Sequence, residues 1–575
     1  MSESAKTASG ASASRSRIAR LSEKLSGLLC SESPTNYRRA AAVLLAFFLL
    51  LAIVQCILGA PPLAGPWDMV TLLDGGWRII NGQIPHQDFY NPNGSLTYEL
   101  IAFGLRIGHP STSSVTYGIV LLAAILIPLA WRIASTRLPW LIAAFAVLLT
   151  GAYLLSPRPP GYGIRETTYA MIYNREGYVL LSMLLVCLFL KVRDSIRQAS
   201  WLDGVFAGFL LGLLLYCKIT YFIAAVGLTI VAVILFPRAV SWFLAAAAAF
   251  AGVCLGFFVV FRISLYRYLL DIAAAGFAQS RSMRIHLLSE GIKHNVIGIC
   301  VLFSCLALWT WAQSRPGSPR LPALRQWLAA ASIVAAALMI VSGNGAQRGG
   351  IDDPLYFFAA LVAIELFRRQ NGRQLALPDT PVHMAMTTSA ILVLAILSGG
   401  IVARDLASDA YTVEWDLAKR PALAASQRLH SATLSDFYVP PTTRHITAYW
   451  PARDYPAHIN DGIDLLRKHL ESGDRVTAFA FANPFSFALD IPPAHERPFW
   501  WDLNFSFDRT HYPPANQFLG DATLVIMPRL QDRSVGYSFE TVDVMKDLYG
   551  GYLNDHFHEI DSTDTWLLYR RNPGQ

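Results

Sequence analysis

The sequence predicts a polytopic α-helical membrane protein with about eleven transmembrane helices, followed by a C-terminal α/β domain. Its 575 residues are 54% hydrophobic and 15% charged, with a mean hydropathy of +0.38, whereas soluble domains carry about 25% charged residues. Apolar runs of near-bilayer length recur from residue 40 to residue 402. Residues 404–575 contain no such run and alternate predicted helices with strands, which is typical of a small α/β domain.

The predicted spans are apolar runs close to the ~20 residues that a helix needs to cross a bilayer. They lie at 40–60, 114–131, 138–155, 177–191, 202–217, 219–236, 241–261, 294–312, 327–342, 354–367 and 383–402. Residues 95–108 are a weaker apolar stretch, which we expect at the membrane interface. Residues 1–38, basic and rich in Ser and Ala, are predicted to be a disordered cytoplasmic tail, and 39–403 the transmembrane domain.

The positions of Arg and Lys predict the orientation. Arg38 and Arg39 precede the first span, so we expect its start in the cytoplasm. Counting from there, short basic loops fall inside, and the odd number of spans leaves domain 404–575 on the outer face. The predicted outer loops are 61–113, 156–176, 262–293 and 343–353. The protein is therefore expected in the cytoplasmic (inner) membrane, and its net charge of +7 indicates topology and not nucleic-acid binding.

The C-terminal region contains recognisable helix and strand patterns. DGIDLLRKHLESGD predicts an amphipathic helix, RVTAFAFA and ATLVIMPR predict buried strands, and TWLLYRR predicts a final strand. The aromatic segment PFWWDLNFSFD is either a saccharide platform or part of the core. None of the seven cysteines lies beyond residue 305, so this domain can hold no disulfide, and no Cys/His spacing indicates a structural metal.

The polar segment 67–98 after the first span is the most informative part of the sequence because it carries three acids. Residues 69–80 predict a short amphipathic helix lying at the interface. Asp68 at its start is either a helix cap or a base held at the membrane surface. Asp74 precedes Arg78 by one helical turn, which predicts a surface ion pair, and Asp88 lies in a turn-rich loop where aspartate often caps backbone N–H groups.

The segment WDMVTLLDGGWRIINGQIPHQDFYNPNGSLTY, together with the span count and the outward C-terminal domain, resembles the GT-C superfamily of membrane glycosyltransferases, which includes protein mannosyltransferase-like and aminoarabinose transferase-like enzymes. The resemblance implies a polyprenyl-phosphate sugar donor and a glycan, lipid or protein acceptor. It implies that Asp68 is the general base that takes the acceptor proton. A second acid often follows in that family, but Met69 stands here, so Asp74 and Asp88 remain alternates. The resemblance leaves a divalent cation, Mg²⁺ or Mn²⁺, open.

The predicted outer loops also supply groups for a substrate phosphate or sugar. Lys218 lies at a tight turn between two spans, where it either snorkels or binds phosphate. Arg175 is expected near phosphate and Glu176 as a second acid, against a reading as interfacial anchors. The remaining expected substrate ligands are Arg281, Gln347 and Arg348, with headgroup binding the alternative for the first and a simple turn for the other two.

Two other classes of function compete with a glycosyltransferase. A transporter or flippase of lipid-linked saccharides predicts ionisable residues deep within the spans, whereas most charged residues here lie at span ends. A non-catalytic scaffold of the same architecture would explain the missing acidic pair. In that scaffold the C-terminal domain would bind partners. For the glycosyltransferase, the expected partners are a polyprenyl-phosphate sugar donor, a glycan, lipid or protein acceptor and membrane lipids, and not a nucleic acid.

Overall fold

The computed structural model describes residues 33–194, 196, 198–279, 281–313, 320–343, 352–370, 381–419, 428–440, 454–495, 498–529 and 539–574. In this part of the chain, the helices that precede the C-terminal domain are α1 Pro34–Leu58, α2 Pro66–Ile80, α3 Leu96–Ile107, α4 Ser114–Ser135, α5 Trp140–Leu155, α6 Ile172–Phe189, α7 Ser200–Cys217, α8 Ile219–Leu235, α9 Val240–Val260, α10 Leu265–Ala278, α11 Arg281–Gln313, α12 Arg320–Ser342, α13 Pro354–Gln370 and α14 Pro381–Glu414.

The structure confirms a polytopic helical protein. Each predicted span lies largely within one of these helices. Among the described residues, seven helices are long and apolar enough to cross a membrane, and three shorter apolar helices accompany them. The weaker stretch 95–108 is the separate helix α3. The loop predicted over 262–293 is mostly helical, since it contains α10 and the start of α11.

Two helices extend beyond the predicted boundaries of the transmembrane domain. The helix α1 already begins at Pro34, within the region predicted as tail, and proline is favoured at a first helical position. The tail prediction for residues 1–32 lies outside the described residues. The helix α14 continues to Glu414, and a π-helical turn follows to Lys419, although the soluble domain was predicted to begin at 404.

The C-terminal domain contains a four-stranded sheet, in which three strands were predicted from the sequence and β3 was not. Its strands are β1 Val476–Ala478, β2 Leu524–Pro528, β3 Phe557–Ser562 and β4 Trp566–Arg571. Their order is β1-β2-β4-β3, with β1 and β2 parallel and the other neighbours antiparallel. Its described helices are α15 Tyr455–His469, α16 Phe485–Ala488, α17 Ala515–Phe518 and α18 Phe539–His556. The strands β1 and β2 are fully buried, in agreement with sequences that are apolar except for Thr477.

The helix α2 joins the transmembrane domain to the C-terminal domain. Trp77 Nε1 donates a hydrogen bond to the Ile491 carbonyl at 2.8 Å, and Arg78 Nη1 donates one to the Ala494 carbonyl at 2.8 Å. The predicted short helix is present, but the Asp74–Arg78 ion pair is buried, so its predicted place on the surface was wrong. Most of α2 is buried, with α3 and the C-terminal domain both packed against it.

An aromatic contact completes this junction. Phe499 of the C-terminal domain, 1% exposed, packs edge-on against Phe89 and Tyr98, with ring centroids at 5.2 and 5.4 Å. Buried aromatic pairs of this geometry add about 0.5–1.5 kcal/mol to the free energy gained by burial. Phe499 therefore holds the C-terminal domain against the segment that follows α2.

Replacing Phe499 with alanine tests this junction. We expect Phe499→Ala to lower the stability of the protein by about 3–5 kcal/mol, the usual cost of truncating a buried phenylalanine. Thermal unfolding of the detergent-solubilised protein measures the effect. The matched control is Tyr512→Ala, because Tyr512 is 45% exposed. Equal melting temperatures for the two variants would contradict the prediction.

Candidate active site

Asp68 lies in the first turn of α2 but does not cap it. The N-cap residue is Gly65, Pro66 follows, and no side chain caps the helix, so the interpretation of Asp68 as a cap was wrong. Within the described residues, the carboxyl group has no hydrogen-bond partner, although it is only partly exposed. Burial raises the pKa of Asp68 to about 7. The side chain is thus a desolvated carboxyl that takes up and releases a proton near neutral pH.

The two alternate aspartates are engaged in local structure. Asp74 Oδ2 accepts a hydrogen bond from Arg78 Nε at 2.8 Å, and both side chains are buried. Asp88 Oδ2 accepts a hydrogen bond from the Ile84 backbone N–H at 2.7 Å and so closes a turn. Of the three acids in this segment, only Asp68 therefore has a carboxyl that is free to act on a substrate.

The start of α6 arranges four consecutive polar side chains on different faces. Met171 precedes the helix in the left-handed region, with φ 50°, an uncommon conformation for a residue that is not glycine. Successive residues of an α-helix point about 100° apart. Tyr173 and Asn174 contact Lys218, the Arg175 guanidinium lies over Tyr169, and the Glu176 carboxylate lies against Thr97.

Lys218 is held at the junction of α7 and α8 by two neutral groups. Its Nζ donates a hydrogen bond to Asn174 Oδ1 at 3.3 Å and lies 4.5 Å from the centroid of the Tyr173 ring. It forms no ion pair with any residue that the structure describes. The Nδ2 atom of Asn174, which is 1% exposed, has no hydrogen-bond partner in the same part of the chain. An ammonium in this setting is available to a substrate anion.

Arg175 and Glu176 contact residues other than Lys218. Arg175 lies over the Tyr169 ring, with Cζ 6.0 Å from the ring centroid, and its guanidinium has no hydrogen-bond partner among the described residues. Glu176 Oε2 accepts a hydrogen bond from Thr97 Oγ1 at 2.5 Å. Glu176 Oε2 also lies 3.9 Å from the Sγ atom of Cys217, the residue before Lys218. The expected roles of Arg175 near phosphate and of Glu176 as a second acid stay predictions.

The other expected substrate ligands are Arg281, Gln347 and Arg348. Arg281 begins α11, and its side chain is outside the described part of the structure. Gln347 and Arg348 lie outside the described residues. Their predicted contacts with phosphate or sugar remain predictions.

Sequence reasoning missed Asp502 of the C-terminal domain. Its charge interacts unfavourably with that of Asp68, and Tyr173 is close enough to interact with both. Burial, and to a lesser extent the charge of Asp68, raises the pKa of Asp502 to about 7. Its neighbour Trp501 is 2% exposed and belongs to the domain core. The segment PFWWDLNFSFD stands out in the sequence for its aromatic residues, but no sequence pattern relates Asp502 to the predicted outer loop 61–113.

These residues form a site with two carboxyls that have no hydrogen-bond partner and one ammonium that has no carboxylate partner among the described residues. Asn93 lies within hydrogen-bonding reach of Tyr98 and Tyr173 and lines the same region. In the described part of the chain, no three His, Cys, Asp or Glu side chains converge as metal ligands. A divalent ion at Asp68 and Asp502 would need substrate oxygens to complete its coordination. The arrangement is suited to taking a proton from one group and neutralising negative charge on another.

Comparisons with known proteins give structural neighbours only. Neither a scan against protein-family models nor a search of curated proteins gives a match. The chain is similar to the crystal structure of ArnT from Cupriavidus metallidurans in the apo state, with 12% sequence identity, 92% of this chain and 98% of that chain covered, and a TM-score of 0.45. For ArnT from Cupriavidus metallidurans bound to undecaprenyl phosphate, the corresponding values are 12%, 93%, 99% and 0.46.

The raised pKa of Asp68 has a consequence for stability. The folded protein holds this proton more tightly than the unfolded chain, so ionisation of Asp68 destabilises the fold increasingly as pH rises from about 4 to about 7. We therefore expect Asp68→Asn to raise the melting temperature, and by more at about pH 8 than at about pH 5. Asp88→Asn is the matched control, since the Asp88 carboxyl caps a turn. A lower melting temperature for Asp68→Asn at both pH values would refute the desolvated state of this carboxyl.

Proposed function

We propose that this protein is a membrane glycosyltransferase that transfers a sugar from a polyprenyl-phosphate-linked donor to a glycan, lipid or protein acceptor. One observation carries the proposal. The Asp68 carboxyl, which has no hydrogen-bond partner among the described residues, interacts electrostatically with Tyr173. The Lys218 ammonium, which has no carboxylate partner there, lies 4.5 Å from the centroid of the same ring. Within the described residues the two opposite charges are not paired with each other, so both are available to a substrate that needs a base and a cation.

The proposed reaction uses each group once. The acceptor hydroxyl loses its proton to the Asp68 carboxylate while its oxygen forms a bond to the anomeric carbon of the donor sugar. The bond from that carbon to the phosphate oxygen breaks, and its electron pair stays on the phosphate. Lys218 stabilises the negative charge that develops there. A direct displacement of this kind needs one base, whereas a glycosidase places two carboxyls on either side of the bond.

An apolar groove supports a lipid-linked donor. It is an open groove between α4, α7 and α9 with a volume of about 650 Å³. Its lining residues are all apolar, among them Leu129, Phe206 and Val253. The same helix α7 ends immediately before Lys218. From residue 209 to residue 218 the helix rises by about 14 Å, which the isoprenoid chain of a lipid whose phosphate contacts Lys218 can span.

We further propose that the site and the C-terminal domain face the extracytoplasmic side of the cytoplasmic membrane. The opposite end of the helices carries buried and half-buried arginines at the loops predicted to be cytoplasmic. There, Arg137 pairs with Asp203 at 2.5 Å, and Arg193 Cζ lies 4.5 Å from the centroid of the Tyr37 ring, near the start of α1. This distribution is the one that the positive-inside rule requires.

A transfer assay tests the proposed function. Membranes containing the protein are incubated with radiolabelled polyprenyl-phosphate sugars, and label is followed into glycan, lipid and protein fractions. We expect Asp68→Asn to reduce the transfer rate by about 100- to 10,000-fold, because the acceptor loses its base. Asp88→Asn should retain the wild-type rate. The function is refuted if the wild-type protein transfers no label, and the base assignment fails if both variants match wild type.

Lys218 is tested by the same assay and by binding. We expect Lys218→Met to weaken binding of undecaprenyl phosphate by about 10-fold or more, because a charge-assisted contact to phosphate is lost. Lys191→Met is the control, since Lys191 is 82% exposed at the opposite end of the helices. Unchanged lipid binding in Lys218→Met, measured in detergent micelles, would contradict the role of Lys218.

The pKa of Asp68 predicts the pH dependence. A general base acts only when ionised, and burial raises the pKa of this carboxyl to about 7. We therefore expect kcat/KM to fall as pH decreases through about 7. Initial rates of label transfer between about pH 5 and pH 9 measure the profile. A rate that stays level below neutral pH would exclude Asp68 as the base.

A further inference from the structure

We propose that Asp502, supplied by the C-terminal domain, is an acceptor-positioning residue that hydrogen-bonds a hydroxyl of a polyhydroxylated acceptor next to the hydroxyl that Asp68 deprotonates. The inference rests on the proposed function and adds to it a substrate class, a sugar-bearing acceptor. It also assigns the C-terminal domain a direct part in the site.

The backbone of Asp502 is held firmly, but its carboxyl is not used to hold it. The Asp502 carbonyl accepts hydrogen bonds from the Phe505 and Ser506 N–H groups at 3.0 and 2.9 Å, and the Asp502 N–H donates to Ser506 Oγ at 2.9 Å. Aspartate at the start of a turn usually caps the following N–H groups with its carboxyl. Within the described residues, the carboxyl of Asp502 makes no such bond.

A second aspartate in the same segment shows the usual alternative. Asp508 Oδ1 accepts hydrogen bonds from the backbone N–H groups of Thr510 and His511, each at 2.6 Å. Although partial burial opposes the effect, these bonds lower the pKa of Asp508 to about 2. Asp508 thus serves its own loop, whereas Asp502 keeps a free carboxyl close to Asp68.

The surroundings of Asp502 indicate a ligand. It interacts electrostatically with Asp68, and both carboxyls interact with Tyr173, whose ring lies below the Lys218 ammonium. The buried Asn174 Nδ2, with no hydrogen-bond partner in the described chain, lies beside that ammonium. The charges of the two carboxyls interact unfavourably, and neither carboxyl has a hydrogen-bond partner among the described residues, so their retention is costly unless a bound molecule supplies hydroxyl donors.

The position of Asp502 also explains why the domain is docked so firmly. Phe499, three residues earlier, packs against Phe89 and Tyr98. Arg78 anchors the same part of the domain through the Ala494 carbonyl. These contacts fix the segment that carries Asp502 relative to α2, which carries Asp68. A positioning residue has to be held in this way, because small displacements of a reacting group reduce rates strongly.

Three measurements on Asp502 variants test the proposal, with Asp555→Asn, at an exposed position of the same domain, as control. We expect Asp502→Ala to raise the KM for the acceptor fraction that takes up label from wild type by about 10- to 100-fold. Its binding of undecaprenyl phosphate should stay within about twofold of wild type. Asp502→Asn should shift the acidic limb of the pH profile to lower pH, because no second carboxylate then opposes ionisation of Asp68.

The outcomes separate this proposal from the proposed function. If wild type transfers label while Asp502→Ala and Asp502→Asn match Asp555→Asn in KM and pH profile, Asp502 has no such role and the glycosyltransferase stands. If chelation with EDTA abolishes wild-type transfer and Mn²⁺ restores it in wild type but not in Asp502→Asn, Asp502 is a cation ligand and the proposal is overturned. Thermal unfolding of each variant distinguishes a loss of activity at the site from a loss of the folded structure.

Discussion

The burial of Arg78 is the constraint on which the candidate site depends. Its side chain is 0% exposed, its charge is balanced by Asp74 at 2.8 Å, and it donates a hydrogen bond to the Ala494 carbonyl across the domain junction. Leaving a buried charge without its partners costs several kcal/mol. The C-terminal domain and α2 therefore stay together. Their contact places Asp502 near Asp68.

Paired and unpaired charges are used differently in this protein. Buried arginines that hold the helices together have close acidic partners, as in Arg137 with Asp203 and Arg158 with Asp352 and Asp405. Asp68, Asp502 and Lys218 are partly buried and have no such ion-pair partner among the described residues. Desolvated groups of this kind reduce stability, and proteins retain them mainly where they act on a ligand.

Much of the fold could be predicted from sequence because membrane spans and buried strands are governed by local composition. The apolar runs 241–261 and 219–236 are the helices α9 and α8, with boundaries shifted by at most one residue. ATLVIMPR became the central strand β2. The position of α2 could not be predicted. Its amphipathic pattern fits exposure to water as well as contact with another domain. In the structure, α2 donates hydrogen bonds to the C-terminal domain.

The sequence by itself determined the membrane class, the helices and strands, and the choice of Asp68 and Lys218 as candidate groups, because these follow from composition and local spacing. The tertiary structure decided which of the candidates share a site. It placed the Arg175 guanidinium over the Tyr169 ring and the Glu176 carboxylate against Thr97. Contacts between segments far apart in the chain allow Asp502 to interact with Asp68. No local sequence pattern predicts such long-range contacts.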